Sequence, residues 1–262
     1  MNKLVTLLLL SVFCIQCTPK VYQMTEVYNP VIAHRGAWKA KGIPENSIAA
    51  LKNAIRLKCQ GSEFDVRMTK DEVLIINHDE HHHSLDIEKT NYADLIKYPL
   101  TNGEKLPTLK EYLKAGKNKF TSMIVEIKPS PQGASHGRYI AQKVYDEVKE
   151  QKLLGKSTFI SFDIEILKKI LEIDRNLSTQ YLNGDKSPAE IKSIGITGID
   201  YHYSVFKTQH PDWIEEAKKI NLDLNVWTVN DPADLEFFIA KKFNQITTNE
   251  PELINELLKT KK

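Results

Sequence analysis

The residues of this sequence best equipped for chemistry come in short groups that close apolar runs. His34 and Arg35 end the run 31–34, and Gly36 follows to let the chain turn. Glu63 and Asp65 stand at i, i+2; Glu126 and Lys128 repeat that spacing, with Pro129 breaking the run directly after. In a strand, a period of two puts both members of each pair on one face and turns Phe64 and Val66 to the other. His78-Asp79 ends a further run, 73–77, and Trp227 closes 222–227. Two imidazoles can exchange protons near neutral pH. Three carboxylates with no sulfur ligand suit one hard divalent cation, Mg2+ or Ca2+, bound through oxygen. Facing a common interior they would repel one another unless a cation joined them. Taken singly, each group also has a plainer reading: paired charges at i, i+2 as a solvated strand face, and a strand-end histidine as structural.

These residues need elements to position them. Short β-branched runs at 31–34, 62–66, 123–127, 158–161, 178–181, 197–200, 222–227 and 245–247 read as strands. Between them 47–58, 139–151, 164–173, 188–194, 212–220 and 232–241 carry apolar residues at three- and four-residue steps and read as helices. Strand–helix alternation over eight units points to an α/β chain folded as a TIM (β/α)8 barrel, whose active-site mouth lies at the C-terminal ends of the strands. The run 73–77, reached from Asp65 through the turn 69–72, is a ninth and implies a hairpin or excursion. Residues 79–107 show little helical period outside 92–96 and read as a short insertion near the mouth.

The chain has 262 residues, with 36 Lys and Arg against 34 Asp and Glu, a net charge of +2. That balance, spread along the chain, gives no electrostatic footprint for nucleic acid. The N-terminus is different. After Lys3, an apolar run from 4 to 15 is interrupted only by Thr6 and Ser11, and no charge returns before Lys20. Such a run reads as a signal sequence, because as helix it would cover about 18 Å, short of a hydrocarbon core of about 30 Å. It ends at Cys17-Thr18-Pro19, which resembles a bacterial lipoprotein signal. The expectation is a signal peptide over 1–16, membrane attachment through lipidated Cys17, a polar tether over 17–29, a catalytic domain over 30–262, and export to the bacterial periplasm or cell envelope. Cys59, at the end of a helical pattern with no histidine beside it, reads as a small buried hydrophobe.

Ala33-His34-Arg35-Gly36, Pro44-Glu45-Asn46-Ser47 at a helix start, Glu63-Phe64-Asp65-Val66, Asn77-His78-Asp79 and Glu126-Ile127-Lys128 together resemble the glycerophosphodiester phosphodiesterase family. Ser161-Phe162, Val226-Trp227-Thr228-Val229-Asn230 and Thr247-Thr248-Asn249-Glu250-Pro251 continue the likeness to the C-terminus. The resemblance implies a TIM barrel that hydrolyses glycerophosphodiesters, such as glycerophosphocholine or glycerophosphoethanolamine, to glycerol 3-phosphate and an alcohol. It further implies His34 and His78 as the general acid–base pair, Glu63, Asp65 and Glu126 as holders of one divalent cation, and Arg35 and Lys128 as neutralisers of phosphate charge. Trp227 is placed to pack a glycerol or headgroup, and Trp38 and Tyr203 read either as its partners or as rim aromatics. Glu45 reads as reaching the site from its loop or as an acid at a helix start.

The sequence departs from the family pattern at Asp71-Glu72, where an Asp-Gly turn is usual, and at Asn249, where an acid is common. Both lie outside the expected catalytic set and bear on substrate fit. His81-His82-His83 reads as solvated loop, since three consecutive side chains splay apart. Two competing functions remain in view. A lysophospholipid or other headgroup phosphodiesterase on the same barrel would show a long apolar groove. A surface lipoprotein binding phosphodiesters without turnover would have lost a key histidine or carboxylate, and all five are present.

Overall fold

The computed structural model describes residues 28–117 and 119–260. The leader 1–16, Cys17 and the tether up to residue 27 lie outside the described residues. No described helix is long and apolar enough to cross a membrane.

Eight parallel strands form the barrel: β1 (Val31–Ala33), β2 (Gly61–Met68), β6 (Ser122–Ile127), β7 (Ser157–Ser161), β8 (Ser178–Tyr181), β9 (Gly198–His202), β10 (Asp223–Trp227) and β11 (Ile246–Thr248). They are hydrogen-bonded in the order β10-β9-β8-β7-β6-β2-β1-β11. The Gln245 N–H closes the seam onto the Leu224 carbonyl at 3.1 Å, and the Val229 N–H onto Thr247 at 3.0 Å. The expected ninth run is β3 (Leu74–Ile76), which folds back antiparallel on the overlong end of β2 with Val66 opposite Ile76.

Alternation along the strands sorts the side chains into an inside and an outside. Outward Phe64, Val125 and Phe159 pack against Leu109, Val144 and Ile166 of the helical layer. Ile199, Tyr201, Leu224 and Val226 pack against Ile214, Leu235 and Phe238. Each such fully buried side chain is worth about 2 kcal/mol. The interior holds only a small apolar floor, Ile32, Ile124, Ile160 and Leu182. Above and around it the inward positions are polar.

Several helices start where a side chain caps them. The Ser47 hydroxyl accepts from the Ala50 N–H to open α1 (Ile48–Arg56), and a reciprocal Ser187/Glu190 capping box with Pro188 opens α6 (Pro188–Ile194). Two helices go beyond the sequence expectation. For α3 (Leu109–Gly116) the mark was present as Thr108-x-x-Glu111, a capping box fully formed here. For α9 (Pro251–Thr260) it was Pro251 followed by apolar residues at helical steps. Helix α4 (Ala134–Glu150) begins five residues before the expected 139.

Residues 79–107 form a β4–β5 hairpin (His81–His82, Leu85–Asp86) and the short α2 (Tyr92–Leu95), with a core of Ile87, Leu95 and Leu106 on Ile75. Glu104 from this segment accepts the Ile48 N–H at 3.1 Å, fixing it to the mouth side of the barrel. The histidine triplet is not uniformly solvated: His82 is buried with its ring against the Tyr98 carbonyl, and His83 stacks on the Tyr98 ring. Glu72 takes the left-handed conformation, φ 59°, that the usual glycine would adopt without strain.

The tightest turn carries His34 into the site. Gly36 has φ +77°, and a Cβ there would lie 2.6 Å from the Ala50 Cβ and 2.8 Å from its carbonyl carbon. Gly36→Ala therefore combines backbone strain with a clash against α1 and should lower the unfolding free energy by about 3 kcal/mol. Urea unfolding checks this as a lower midpoint at unchanged slope.

Candidate active site

Strand register explains which residues meet. Glu63 and Asp65 point into the barrel from β2, and Asp65 is level with Glu126 across the β2–β6 ladder. Beyond the paired Ala33 and Ser62, His34 continues toward Glu63; beyond the paired Ala33 and Thr248, it meets Asn249. One carboxylate oxygen from each of Glu63, Asp65 and Glu126 falls within 4.8 Å of the others. Among the described residues this is the one such group of His, Cys, Asp or Glu, and the His81–His83 triplet forms none.

Two left-handed residues hold the cluster. Arg35, φ 54°, turns its backbone N–H onto Glu63 Oε2 at 2.7 Å. Asn46, φ 57°, donates its side-chain amide to Asp65 Oδ2 at 2.8 Å and accepts the Asp65 N–H at 3.2 Å. Its own N–H bonds the Arg35 carbonyl, so the two strained residues support each other. Lys128 bridges Glu126 at 2.7 Å and Asp65 at 3.2 Å. The Arg35 guanidinium pairs with Glu45 at 2.9 Å, leaving its buried Nε without a hydrogen bond, 3.7 Å from Asp65.

The three acids respond differently to this crowding. Burial, then the charges of Asp65 and Glu126, push Glu63 well above the usual carboxylate range. Burial and Asp65 push Glu126 up to about 7, against the pull of Lys128. Burial would raise Asp65 too, but Lys128, His78, Asn46 and Arg35 outweigh it and hold its pKa below the ordinary value. Glu63 Oε1 is buried without a hydrogen-bond partner. An orphaned carboxylate oxygen beside two further buried acids, all oxygen donors, fits a hard divalent cation.

Both histidines are anchored through Nδ1. Asn249 Oδ1 accepts from the Trp38 indole at 3.3 Å and lies 2.8 Å from His34 Nδ1, so that nitrogen carries the proton and Nε2 keeps its lone pair. Nε2 lies 4.0 Å from Glu63 Oε2. Burial, reinforced by the Arg35 cation, lowers the His34 pKa to about 4. His78 Nδ1 is held by Asp79 at 2.8 Å. His34, Arg35, Glu63, His78, Glu126 and Lys128 all line one cavity of about 230 Å³, with Trp227 and Phe162 edge-to-face on its wall. A wider hollow of about 1110 Å³ near Tyr28, Gln60 and Asn244, at the opposite ends of the strands, gathers no carboxylate or imidazole.

The model of the Glycerophosphoryl diester phosphodiesterase family matches residues 34–253. The chain belongs to this family. A glycerophosphodiester phosphodiesterase from Parabacteroides distasonis is 40% identical in its crystal structure and superimposes with a TM-score of 0.86, covering 89% of this chain and 98% of that one. The glycerophosphodiester phosphodiesterase of Caldanaerobacter subterraneus is 29% identical over 247 residues, 87% of this chain and 97% of its own. An Oleispira antarctica phosphodiesterase, 21% identical with a TM-score of 0.75 over 88% of this chain and 97% of that one, shares the fold and was solved with sn-glycerol-3-phosphate. Family membership makes this chain a hydrolase of glycerophosphodiesters on a TIM barrel.

The barrel brings together His34, Arg35, Glu63, Asp65, His78, Glu126, Lys128 and Trp227. Glu45 reaches the site by pairing with Arg35, and Trp38 by its bond to Asn249. Tyr203 packs beside His202, at 4.2 Å between ring centres, and against the outer core. Cys59 is buried, its thiol pushed up to about 12. One expectation needs correction: Asn249, read as bearing on substrate fit, instead contacts His34 directly because β11 closes the barrel beside β1. Asp200 was missed. It ends the run 197–200, and the strand-end rule that singled out His34 and Trp227 picks it out equally.

Two measurements test these electrostatics. Divalent-cation binding at about pH 6 should release protons, because Glu126 ionises only near 7 and Glu63 is pushed well above the usual range, and the Glu126 share of the release should fade about two units higher. Calorimetry in buffers of differing ionisation enthalpy reads it, and Glu63→Gln should weaken binding by roughly tenfold or more. Asn249→Asp sets a carboxylate against the His34 Nδ1–H and should raise its pKa from about 4, seen by NMR titration of the imidazole.

Proposed function

We propose that this protein is an exported, lipid-anchored enzyme that hydrolyses deacylated phospholipids, such as glycerophosphocholine or glycerophosphoethanolamine, to glycerol 3-phosphate and an alcohol. The single observation behind this reading is the shared cavity: two imidazoles, two cations and the buried acids Glu63 and Glu126 open on one space of about 230 Å³. Glu63, Asp65 and Glu126 would hold one Mg2+ or Ca2+. When bound, the ion supplies charge to offset that on a phosphoryl oxygen.

The chain's own groups do the rest. His34, neutral at physiological pH with its Nε2 lone pair facing the cavity, takes the proton from the attacking oxygen as the new P–O bond forms. His78, aligned by Asp79, returns a proton to the departing alcohol as the other P–O bond breaks. Lys128 and Arg35 neutralise phosphate charge, and Trp227 offers a flat apolar wall. Lipid attachment rests on Cys17 and the apolar run before it, and export on the same segment.

The test is release of glycerol 3-phosphate from glycerophosphocholine and glycerophosphoethanolamine by the purified protein, with EDTA and then with Mg2+ or Ca2+ restored. Turnover should depend on the ion. His34→Ala and His78→Ala should each lower kcat by about 10²–10⁴ with melting temperature preserved. Near-wild-type rates in both variants sink the acid–base assignment. Turnover confined to lysophospholipids would instead favour the headgroup alternative, and ligand binding with no turnover the non-catalytic one.

A further inference from the structure

Asp200 is a buried acid that the chemistry above does not use. It is 1% exposed and lies on β9, where alternation turns Asp200 into the barrel and Ile199 and Tyr201 into the outer core. It lines the same cavity as His34 and Lys128. Its Oδ1 is fully buried, and neither carboxyl oxygen has a hydrogen-bond partner among the described residues. The contrast with its neighbours is sharp. Asn225, its register partner on β10, bonds Gln180 at 3.2 Å and Thr247 at 3.2 Å, and Gln180 bonds Gln245 at 2.8 Å. The interior polar groups beside Asp200 satisfy one another, and Asp200 stands outside their network, facing the cavity.

A native interior seldom leaves a carboxyl unpaired, and the cost points to a partner from outside the chain. The two nearby cations are taken: Lys128 bridges Glu126 and Asp65, and Arg35 pairs with Glu45. Ile160, Leu182, Phe162 and Trp227 make the surrounding wall apolar. The Trp227 indole donates to the Asp200 carbonyl at 2.9 Å, tying the ring to the same stretch of β9. Burial, and secondarily Glu126, push the carboxyl well above the usual range, which favours the neutral form, able both to donate and to accept. A neutral acid in a dry corner matches an alcohol. An ammonium group would require the ionised form, and would sit in a cavity that already holds Lys128 over the Phe162 ring.

We propose that Asp200 selects the polyol side of the substrate, exchanging hydrogen bonds with a free hydroxyl of the glycerol whose phosphate lies toward Glu63 and Glu126. This rests on the phosphodiesterase reading and adds to it a residue that decides which alcohol is accepted in the cavity.

The experiment compares binding of glycerol 3-phosphate with that of n-propyl phosphate, the same skeleton without hydroxyls, by calorimetry at saturating Mg2+ or Ca2+. Wild type should prefer glycerol 3-phosphate by about tenfold or more. Asp200→Leu should bring the two ligands within about twofold by weakening only glycerol 3-phosphate, while its melting temperature holds or rises because a buried orphan is removed. Asp200→Asn, which keeps a donor and an acceptor, should retain part of the preference and serves if the leucine variant fails to fold. A preference that survives in the folded variant, an equal loss for both ligands, or a wild type that binds neither overturns the assignment. Turnover is read on the same preparations: wild type that discriminates the two monoesters yet cleaves no diester defeats the phosphodiesterase reading and leaves Asp200 standing.

Discussion

Three carboxylates share the dry interior of one barrel, and most of what is unusual in this chain answers their repulsion. Oxygen atoms of Glu63, Asp65 and Glu126 within 4.8 Å would repel weakly in water and several-fold more strongly inside a protein. The chain's own answers are Lys128, set between two of the acids, and Arg35, which turns its backbone N–H to the third. They are not enough. Asp65 is held ionised, but Glu63 and Glu126 are driven upward and keep protons that a divalent cation would displace. Proton retention and ion affinity are thus two faces of the same crowding.

That crowding is tolerable because stability is built elsewhere. The two large apolar clusters lie between strands and helices, outside the barrel wall, while the interior has only Ile32, Ile124, Ile160 and Leu182 beneath the polar groups. A cavity wall made of strand ends can then carry unfavourable local conformations. Arg35 and Asn46 both sit at positive φ, and each uses it to aim an amide at a carboxylate. Gly36 lets α1 close over the turn without a Cβ in the way.

The parts of the site that were legible in the sequence are those governed by local period. The i, i+2 pairs Glu63/Asp65 and Glu126/Lys128 face inward as a two-residue repeat requires, and the strand-end His34 and Trp227 stand at the mouth. The run 73–77 was legible as an excursion for the same reason. Contacts set by closure of the barrel were not. Asn249 meets His34 across 215 residues of chain only because the last strand hydrogen-bonds the first. The partnering of Asn46 with Asp65 depends on a left-handed residue that no side-chain pattern announces. Helices α3 and α9, by contrast, carry local starting signals, Thr108-x-x-Glu111 and Pro251. The seat of Asp200 was legible by the rule applied to its neighbours, but its lack of a partner is visible only once the interior network is complete.

The charge count at the cluster bears on which molecules the site retains. With all three carboxylates ionised, as a bound cation would hold them, they stand against Arg35 and Lys128 at one net negative charge before the ion itself is counted, with Glu45 extra but 41% exposed on its side chain and therefore screened by solvent. A divalent cation reverses the sign to one positive. A phosphodiester, with a single negative charge, then makes the site neutral. A phosphomonoester carries about −1.5 to −2 at neutral pH, by analogy with other phosphate monoesters, and returns the site to net negative. Hydrolysis of a diester to a monoester would therefore turn a well-matched ligand into a poorly matched one in place, so that release of the product follows from the same electrostatics that accept the substrate. A protein built only to bind phosphodiesters would need the first half of that balance and not the second.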